Sequence, residues 1–472
     1  MKTALIISTV AASAIGTEPP KASNCVCRFF ESESTAKADL LVKFTSNKAS
    51  LDAITTAKSS NYRQGVYDVL IEQAKANEAR LAPLLPSGQH ISSVYIAGGV
   101  ALCSVSKETF DRLTASDFIE YVDLNNTNDI ALPDVIKGDR SSSRHRDAGN
   151  EWGVETVGAP AIWKYTRGKG VVVGSIDSGA LYTHEAIKDN WRADYGWFDP
   201  TNGTATPYDS QDHGSHTIGT MVGRGGIGVA PDAQWISCTF GDAPTLEVML
   251  QCAQFILCPT KPEGSAVDCS KDVDVVNNPW TNPWFEAAIT AWKAARIIPV
   301  FGIANRGLEC SLAASPRAYK HPDTLAYFSS KGSVSNGPVY VKPDVSAPGY
   351  YVRSVGIVSN SAYASDAGTS MASPHVAGVV TLLKSVNLSL DFDAVYTYLT
   401  ATADQNELNT TEPHAWLASL TNETLPGSPH CGGPPDDSWP NKRFGYGRVN
   451  VATILHDGKL NDKRRPTCHE EI

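Results

Sequence analysis

Short runs of apolar, largely β-branched residues alternate with helical patterns between residues 171 and 301. Runs that are apolar throughout, without alternation, are typical of strands buried on both faces. Repeated strand–helix–strand units with short connections favour a mostly parallel sheet covered by helices on both faces, so we expect an α/β fold. The predicted strands cover 171–176, 234–238, 273–277 and 297–301, and the predicted helices begin at His213 or cover 246–257 and 285–296.

Polar residues that could carry chemistry follow these predicted strands. Asp177 comes directly after the first strand, and Asn305 lies in a turn that follows the fourth. Sites in open α/β sheets gather at the carboxyl ends of the strands. We therefore expect Asp177, Asn305 and the loop before Ser370 to lie at one edge of the sheet.

The string at 368–378 places a turn of small residues directly before Ser370, and apolar helix formers follow it. A hydroxyl at the start of a helix lies beside unpaired backbone N–H groups and the positive end of the helix dipole. That environment suits an oxygen that must become an alkoxide and then hold an acyl group. The alternative for an isolated serine in this place is an ordinary N-cap of a buried helix.

Three other residues also have ordinary structural interpretations when each is taken alone. Asp177 could cap a loop, and an asparagine such as Asn305 is common in tight turns. His213 is followed three residues later by His216, a pair that suggests a metal site. No Glu lies between the two histidines, and no Cys or third His follows nearby.

Together these segments resemble the subtilisin-like serine proteases, and most of all their bacillopeptidase F-like subgroup. The resemblance rests on the serine string, the histidine segment at 212–220 and the chain order Asp177, His213, Asn305, Ser370. It implies a subtilisin-like fold in which Ser370 is the nucleophile, His213 the base and Asp177 its orienting partner. It further implies that Asn305 donates to the developing oxyanion.

The chain departs from the pattern of that family at three places. Where the family has Ser-Trp-Gly after paired asparagines, Asn278 is followed by Pro279, Trp280 and Thr281, all of which we expect in the substrate cleft. Proline removes a backbone donor that could pair with an extended peptide. Ala304 replaces the glycine before the asparagine, and we expect its methyl group in the cleft as well, close to the S1 pocket. The stretch at 315–325 also lacks the apolar strand that the family places there.

A unit without catalytic motifs precedes the predicted catalytic domain at 151–455. It covers 35–127 and resembles the inhibitory propeptide of subtilisin-like zymogens; an unrelated accessory domain is the alternative. A polar, basic linker at 128–150 follows it, and exposed linkers of this kind are readily cut, so we expect maturation there. The predicted elements of the unit are strands at 40–44, 94–105 and 118–123 and helices at 61–85 and 110–113.

The composition indicates a secreted globular protein. Residues 1–16 combine a charged start with a short apolar run and small-residue cleavage sites, which predicts a signal peptide. The ten cysteines then suggest disulfides, at least one of them local among Cys252, Cys258 and Cys269. Sequons such as Asn125-Asn126-Thr127 are compatible with a glycoprotein. The net charge of −10 argues against a nucleic-acid partner, and we expect no membrane anchor.

These observations predict a secreted serine endopeptidase that acts on proteins or peptides and is made as a monomeric zymogen with its own propeptide as inhibitor. We expect no required cofactor; structural calcium is common in the family, but no motif here assigns a site. Two alternatives stay open. One is an impaired homologue that acts as a binding protein, or an inaccurate gene model; the other is a metallohydrolase using His213 and His216. A charged tail is predicted at 456–472.

Overall fold

The fold is that of a computed structural model. The predicted signal peptide, Thr281, and most of the predicted linker and tail lie outside the residues that it describes. Those residues are 21–33, 35–45, 62–126, 136–137, 149–242, 244–280, 282–305, 317–320, 324–330, 341–406, 408–411, 415–417, 424–426, 437–456 and 459–460.

The strands and helices are numbered in chain order. The strands are β1 (Lys37–Phe44), β2 (Ile91–Val94), β3 (Gly99–Ser106), β4 (Ile119–Leu124), β5 (Ile136–Lys137), β6 (Val172–Asp177), β7 (Trp197–Phe198), β8 (Gln234–Thr239), β9 (Val275–Asn278), β10 (Ile298–Phe301), β11 (Arg317–Lys320), β12 (Thr324–Leu325), β13 (Ser346–Pro348), β14 (Val352–Val355), β15 (Tyr363–Ala367), β16 (Ala415–Leu417), β17 (Thr424–Pro426), β18 (Leu455–His456) and β19 (Lys459–Leu460). The helices are α1 (Asn24–Ser32), α2 (Tyr62–Leu81), α3 (Lys107–Thr114), α4 (Trp152–Thr156), α5 (Ala159–Ile162), α6 (His213–Val222), α7 (Leu246–Leu257), α8 (Glu286–Ala294), α9 (Thr369–Val386), α10 (Phe392–Ala401) and α11 (Val451–Ile454).

Parallel strands form the central sheet, in the order β10-β9-β6-β8-β7. Every residue of β6 is buried, as its short β-branched run predicts. Its Val173 packs in a cluster with α6 and α9, whereas Val172 and Ile176 pack in a second cluster with α7 and α8. The expected α/β fold, a parallel sheet with helices on both faces, is confirmed.

The N-terminal unit is a four-stranded antiparallel sheet in the order β2-β3-β1-β4. The prediction of one strand over 94–105 is wrong. A 3-10 turn at Tyr95–Ala97 divides it, and Gly98 adopts the left-handed φ of 68° that lets the chain reverse. Val94 therefore pairs with Gly99 in a hairpin. Helix α1 is a further element that the sequence analysis did not predict.

This unit lies on α7 and α8. Leu41, Val66 and Ile96 belong to the same buried cluster as Leu250 and Trp292 of the two helices. The contact is therefore an apolar core shared by two parts of the chain. A face of this kind is costly to expose to water, because buried apolar area contributes roughly 25 cal/mol per Å².

The stretch at 315–325 contains a short strand. β11 pairs in parallel with β13 and antiparallel with β12. The expectation that a strand is missing there is thus corrected, although four residues stand where the family pattern has a longer apolar run. Among the described residues, no helix has the length and apolar character needed to span a membrane.

Candidate active site

Asp177 and His213 form a hydrogen-bonded pair. Asp177 is the last residue of β6 and His213 the first of α6, so the carboxyl end of the strand meets the start of the helix. The His213 Nδ1 lies 2.7 Å from the Asp177 Oδ1. The carboxylate is fully buried and also accepts from the Ser178 N–H at 2.7 Å and the Thr217 hydroxyl at 3.1 Å. These donors fix the orientation of the carboxylate, and the carboxylate in turn orients the imidazole.

The surroundings of His213 favour its protonated form. Burial by itself lowers the pKa of His213, but the charge and hydrogen bond of Asp177 oppose it, and so do the charges of Asp209 and Asp366. The net pKa lies above the ordinary value of 6.5. The imidazole is thus a stronger base than a free histidine, as proton abstraction from a hydroxyl requires.

Asp209 supports this pair and was missed by the sequence analysis. Its Oδ1 accepts from the Ser178 hydroxyl at 2.8 Å, and its Oδ2 accepts from the backbone N–H and hydroxyl of Ser215 at 2.8 and 2.6 Å. The Ser178 hydroxyl also accepts from the Gly214 N–H at 2.9 Å. One carboxylate therefore ties together the residues beside Asp177 and His213. In the sequence its only signal is its position four residues before His213.

Ser370 is the second residue of α9, whose N-terminal end faces the carboxyl end of the sheet. Its hydroxyl donates to the Pro279 carbonyl at 3.0 Å. The Nε2 of His213 has no hydrogen-bond partner among the described residues. The structure thus joins Asp177 to His213 but leaves Ser370 bonded to the neighbouring strand end.

Asn305 is held against the start of α9. Its Oδ1 accepts from the Thr369 N–H at 2.8 Å. The Nδ2 of the same amide therefore points away from that N–H. A Cβ placed on Gly368 would lie 3.1 Å from that Nδ2, so the glycine keeps the space beside the amide open. A side-chain N–H and the helix start are therefore adjacent, an arrangement that can stabilise an oxyanion.

Comparison with known proteins identifies the family of this chain. The sequence pattern of the subtilase family matches residues 168–447. The chain belongs to the subtilase family. Bacillopeptidase F of Bacillus subtilis (strain 168) is 32% identical over 406 residues, which cover 77% of this chain and 26% of that protein. Thermitase of Thermoactinomyces vulgaris is 28% identical over 50% of this chain and 82% of that protein.

A solved structure shares the fold of this subtilase. Fervidolysin from Fervidobacterium pennivorans, a keratinolytic enzyme related to subtilisin, matches with a TM-score of 0.55 at 16% identity. The match covers 89% of this chain and 61% of fervidolysin. The chain thus spans about a quarter of bacillopeptidase F and less than two thirds of fervidolysin.

Three of the residues predicted to line the cleft of this subtilase have buried side chains. Trp280 is buried and donates from its indole nitrogen to the Ile176 carbonyl at 2.8 Å, so its side chain belongs to the core. Asn278 is also buried, with its amide 3.3 Å from the Val300 carbonyl. Either residue could meet a substrate through its backbone alone. Ala304 is buried as well and has a left-handed φ of 73°, where the family has glycine.

His216 has a different environment from His213. It is buried, its Nε2 lies 2.9 Å from the Val352 carbonyl, and burial lowers its pKa. In the part of the chain that the structure describes, no three His, Cys, Asp or Glu side chains form a group that could hold a metal ion. Each histidine has one ring nitrogen hydrogen-bonded to a protein oxygen: the His213 Nδ1 to Asp177 and the His216 Nε2 to Val352.

Proposed function

We infer that this subtilase is a serine endopeptidase that hydrolyses peptide bonds through an acyl-enzyme on Ser370. The observation that carries the proposal is the 2.7 Å pair of Asp177 and His213, placed at the sheet edge where α9 begins with Ser370. Asn305 beside that helix start supports the same chemistry. Its substrates would be proteins or peptides, the class on which serine endopeptidases act.

In this mechanism the Ser370 hydroxyl turns from the Pro279 carbonyl to the His213 Nε2. This step exchanges the hydrogen bond to the Pro279 carbonyl for one to the imidazole. His213 then takes the proton as Oγ attacks the carbonyl carbon, and Asp177 stabilises the imidazolium. The Asn305 Nδ2 and the Ser370 N–H stabilise the oxyanion, each worth roughly 3 kcal/mol of barrier. His213 returns the proton to the leaving amine.

The zymogen part of the proposal rests on the contacts of the N-terminal unit. Asn125 caps the start of α7: its Oδ1 accepts from the Glu247 N–H at 3.1 Å, and its Nδ2 donates to the Glu247 carboxylate at 3.0 Å. With the shared apolar core, this cap places the end of the unit close to the carboxyl end of β8. We propose on this basis that the unit acts as an intramolecular inhibitor of the body.

Secretion is also part of the proposal. It is supported by the apolar N-terminal run and by two disulfides, Cys238–Cys252 and Cys258–Cys269. The second of these is a local bridge of the kind that the sequence predicts. Disulfides form and persist mainly in oxidising compartments outside the cytosol.

A second candidate is a catalytically silent subtilase that only binds peptides. It is favoured by the bond from Ser370 to the Pro279 carbonyl, because a hydroxyl kept there is not activated by His213. The two candidates differ in whether Ser370 reacts.

Labelling with a fluorophosphonate reagent, followed by a casein hydrolysis assay, separates them. The wild type should be labelled and active, whereas Ser370→Ala should lose the label and at least about a thousandfold in hydrolysis. Ser373→Ala is the matched control, since Ser373 is buried in the same helix. A folded wild-type chain that takes no label would contradict the endopeptidase proposal.

A further inference from the structure

Five Asn-X-Ser/Thr sequons occur in the chain, where they could carry N-linked glycans if the chain is secreted. Their asparagines are Asn125, Asn202, Asn387, Asn409 and Asn422. A glycan is bulky and polar, so a modified asparagine must lie where the folded chain leaves room for it. Asn422 lies outside the described residues, and the other four have different surroundings.

Asn387 lies in a turn directly after α9. It is half-buried, whereas the next two residues of its sequon, Leu388 and Ser389, are exposed. The Asn387 Oδ1 accepts from the Ser389 N–H at 3.0 Å and from the Ser389 hydroxyl at 2.7 Å. The Nδ2, to which a glycan is joined, takes no part in these two bonds. The turn is about 25 Å along the helix from Ser370, so a glycan there stays clear of the candidate active site.

A cleft of about 520 Å³ opens beside Asn387, which forms part of its lining. The rest of the lining comes mainly from the start of α10 and from β19. It combines apolar side chains with a carboxylate and an ammonium group, from Leu390, Ala394, Leu460, Asp391 and Lys459. Clefts of this size and mixed lining suit small ligands with both apolar and polar surface. A sugar ring has both, in its C–H face and its hydroxyl groups.

The Asn125 amide is used in the contact between the N-terminal unit and α7. Its Oδ1 accepts from the Glu247 N–H at 3.1 Å, and its Nδ2 donates to the Glu247 carboxylate at 3.0 Å. A glycan on this nitrogen would add a bulky polar group between the unit and the helix. The unit could not then pack in this position, and the apolar core that it shares with α7 and α8 would be exposed to water.

Asn202 and Asn409 are exposed, but neither lines the cleft. The Asn202 Nδ2 donates to the Tyr208 hydroxyl at 2.9 Å, and the Asn409 Oδ1 accepts from the Thr411 N–H at 2.9 Å. The structure therefore separates two sequons most sharply: Asn387, which has room for a sugar beside it, and Asn125, which has none.

We propose that Asn387 carries an N-linked glycan whose first sugar lies in the cleft, and that Asn125 carries none. This inference rests on the proposed secretion, because the sugar donor is a lipid-linked oligosaccharide pyrophosphate of the secretory pathway. The Asn387 Nδ2 bonds to C1 of the first sugar, and the bond from C1 to the pyrophosphate oxygen breaks. The pyrophosphate leaves with the electron pair and the amide gives up one proton, so nothing is oxidised or reduced.

Mapping the modified sequons tests the assignment. The full chain with Ser370→Ala, which cannot digest itself, is secreted from a eukaryotic host and treated with a peptide N-glycosidase in heavy-oxygen water. Each modified asparagine then becomes an aspartate marked by heavy oxygen. We expect the mark at Asn387 and not at Asn125. Ser389→Ala should abolish the mark at Asn387, whereas the matched variant Ser389→Thr, which keeps the sequon, should retain it.

The outcomes separate this inference from the proposed function. A secreted, folded chain with an unmarked Asn387 or a marked Asn125 overturns the inference alone. A chain that stays in the cell without a mark at any sequon overturns the proposed secretion as well. Casein hydrolysis by the wild type depends on Ser370 and tests the endopeptidase proposal independently.

The position of the first sugar is tested in the same Ser370→Ala background. An endoglycosidase that leaves one sugar on each asparagine gives a trimmed chain, and the peptide N-glycosidase gives a bare one. The midpoint of thermal unfolding should be roughly 2 °C lower for the bare chain. Ala394→Leu, whose larger side chain fills the cleft, should keep the mark at Asn387 and reduce this difference.

Glycans at the other sequons contribute equally with and without Ala394→Leu, so the comparison isolates the cleft. A difference between trimmed and bare chains that Ala394→Leu leaves unchanged would show that the first sugar lies outside the cleft, as it would if residues 461–472 occupy it. That result would overturn the inference.

Discussion

Ala304 has a backbone conformation that its side chain disfavours. Its φ of 73° is left-handed, and such a conformation costs an L-residue roughly 1–2 kcal/mol. It directly precedes Asn305, so the strain lies at the proposed oxyanion site. Strain of this kind persists only where surrounding structure holds it, here including the bond from the Ser330 N–H to the Ala304 carbonyl at 3.2 Å.

We expect Ala304→Gly to raise the free energy of unfolding by about 1 kcal/mol, since relief of the strain exceeds the entropy that glycine adds to the unfolded chain. Denaturant midpoints measured in the Ser370→Ala background, which prevents self-digestion, would show this. Ala372→Gly in α9 is the matched control and should destabilise by about 1 kcal/mol. The two changes shifting the midpoint in the same direction would argue against strain at Ala304.

In the proposed mechanism Asp209 acts through Ser178 and Ser215, which makes it a positioning residue. In Asp209→Asn the amide can no longer accept from all of its present donors, and the misplaced His213 should lower kcat about tenfold to a hundredfold with little change in KM. Loss of the Asp209 charge also lowers the pKa of His213. Because hydrolysis requires neutral His213, the acid limb of kcat/KM should shift to lower pH.

A pH profile of kcat/KM for wild type and Asp209→Asn measures both effects. The wild-type limb should have its midpoint above pH 6.5. Asp199→Asn is the control, because Asp199 is also a buried carboxylate that accepts from a turn, through the N–H groups of Thr201 and Asn202. If Asp199→Asn moves the limb as far as Asp209→Asn does, the effect is general destabilisation.

At the scale of elements, the sequence predicts those whose signals are local. The predicted bounds of β6 and α7 lie within one residue of those in the structure, because a β-branched run and an apolar stripe at helical spacing are local signals. The sequence does not predict the turn at Tyr95–Ala97, because these residues are typical of a strand. The turn is evident only in the structure, where Gly98 has a left-handed φ. The helix predicted at 285–296 is shorter in the structure. It ends at Ala294, and Arg296 just after it adopts a left-handed φ of 61°.

The candidate site also has features that local sequence predicts and features that it does not. The sequence predicts Asp177, His213, Asn305 and Ser370 as site residues because each lies in a recognisable string at the start or end of an element. The core position of the Trp280 side chain, the bond from Ser370 to Pro279 and the donors gathered on Asp209 depend on residues far apart in sequence. Tertiary packing decides such contacts, and no local pattern in this chain encodes them.

At the scale of the whole molecule, the N-terminal unit and the body are joined by an apolar core and by Arg63. Arg63, near the start of α2, donates to the Asp272 carboxylate and to the Val273 carbonyl, the latter at 2.8 Å, and lies 3.7 Å from Asp274. Burial raises the pKa of Asp274, so a nearby cation stabilises its charged form. Separating the unit from the body removes that cation, whereas Lys384, 4.0 Å from Asp274, stays with the body.

If the unit inhibits the body, as proposed, then Arg63→Ala should weaken inhibition without changing the processed enzyme. Hydrogen bonds to charged groups contribute about 1.5–3 kcal/mol, and the exposure of Asp272 reduces this value, so we expect roughly tenfold weaker binding of the cut unit. Peptide hydrolysis followed from the moment of processing should then show a correspondingly shorter lag. Arg112→Ala is the control, because Arg112 contacts Glu108 and Thr109 of its own helix on the surface of the same unit. Equal lags in the two variants would show that Arg63 does not hold the unit on the body, whereas a wild type without any lag would argue against inhibition itself.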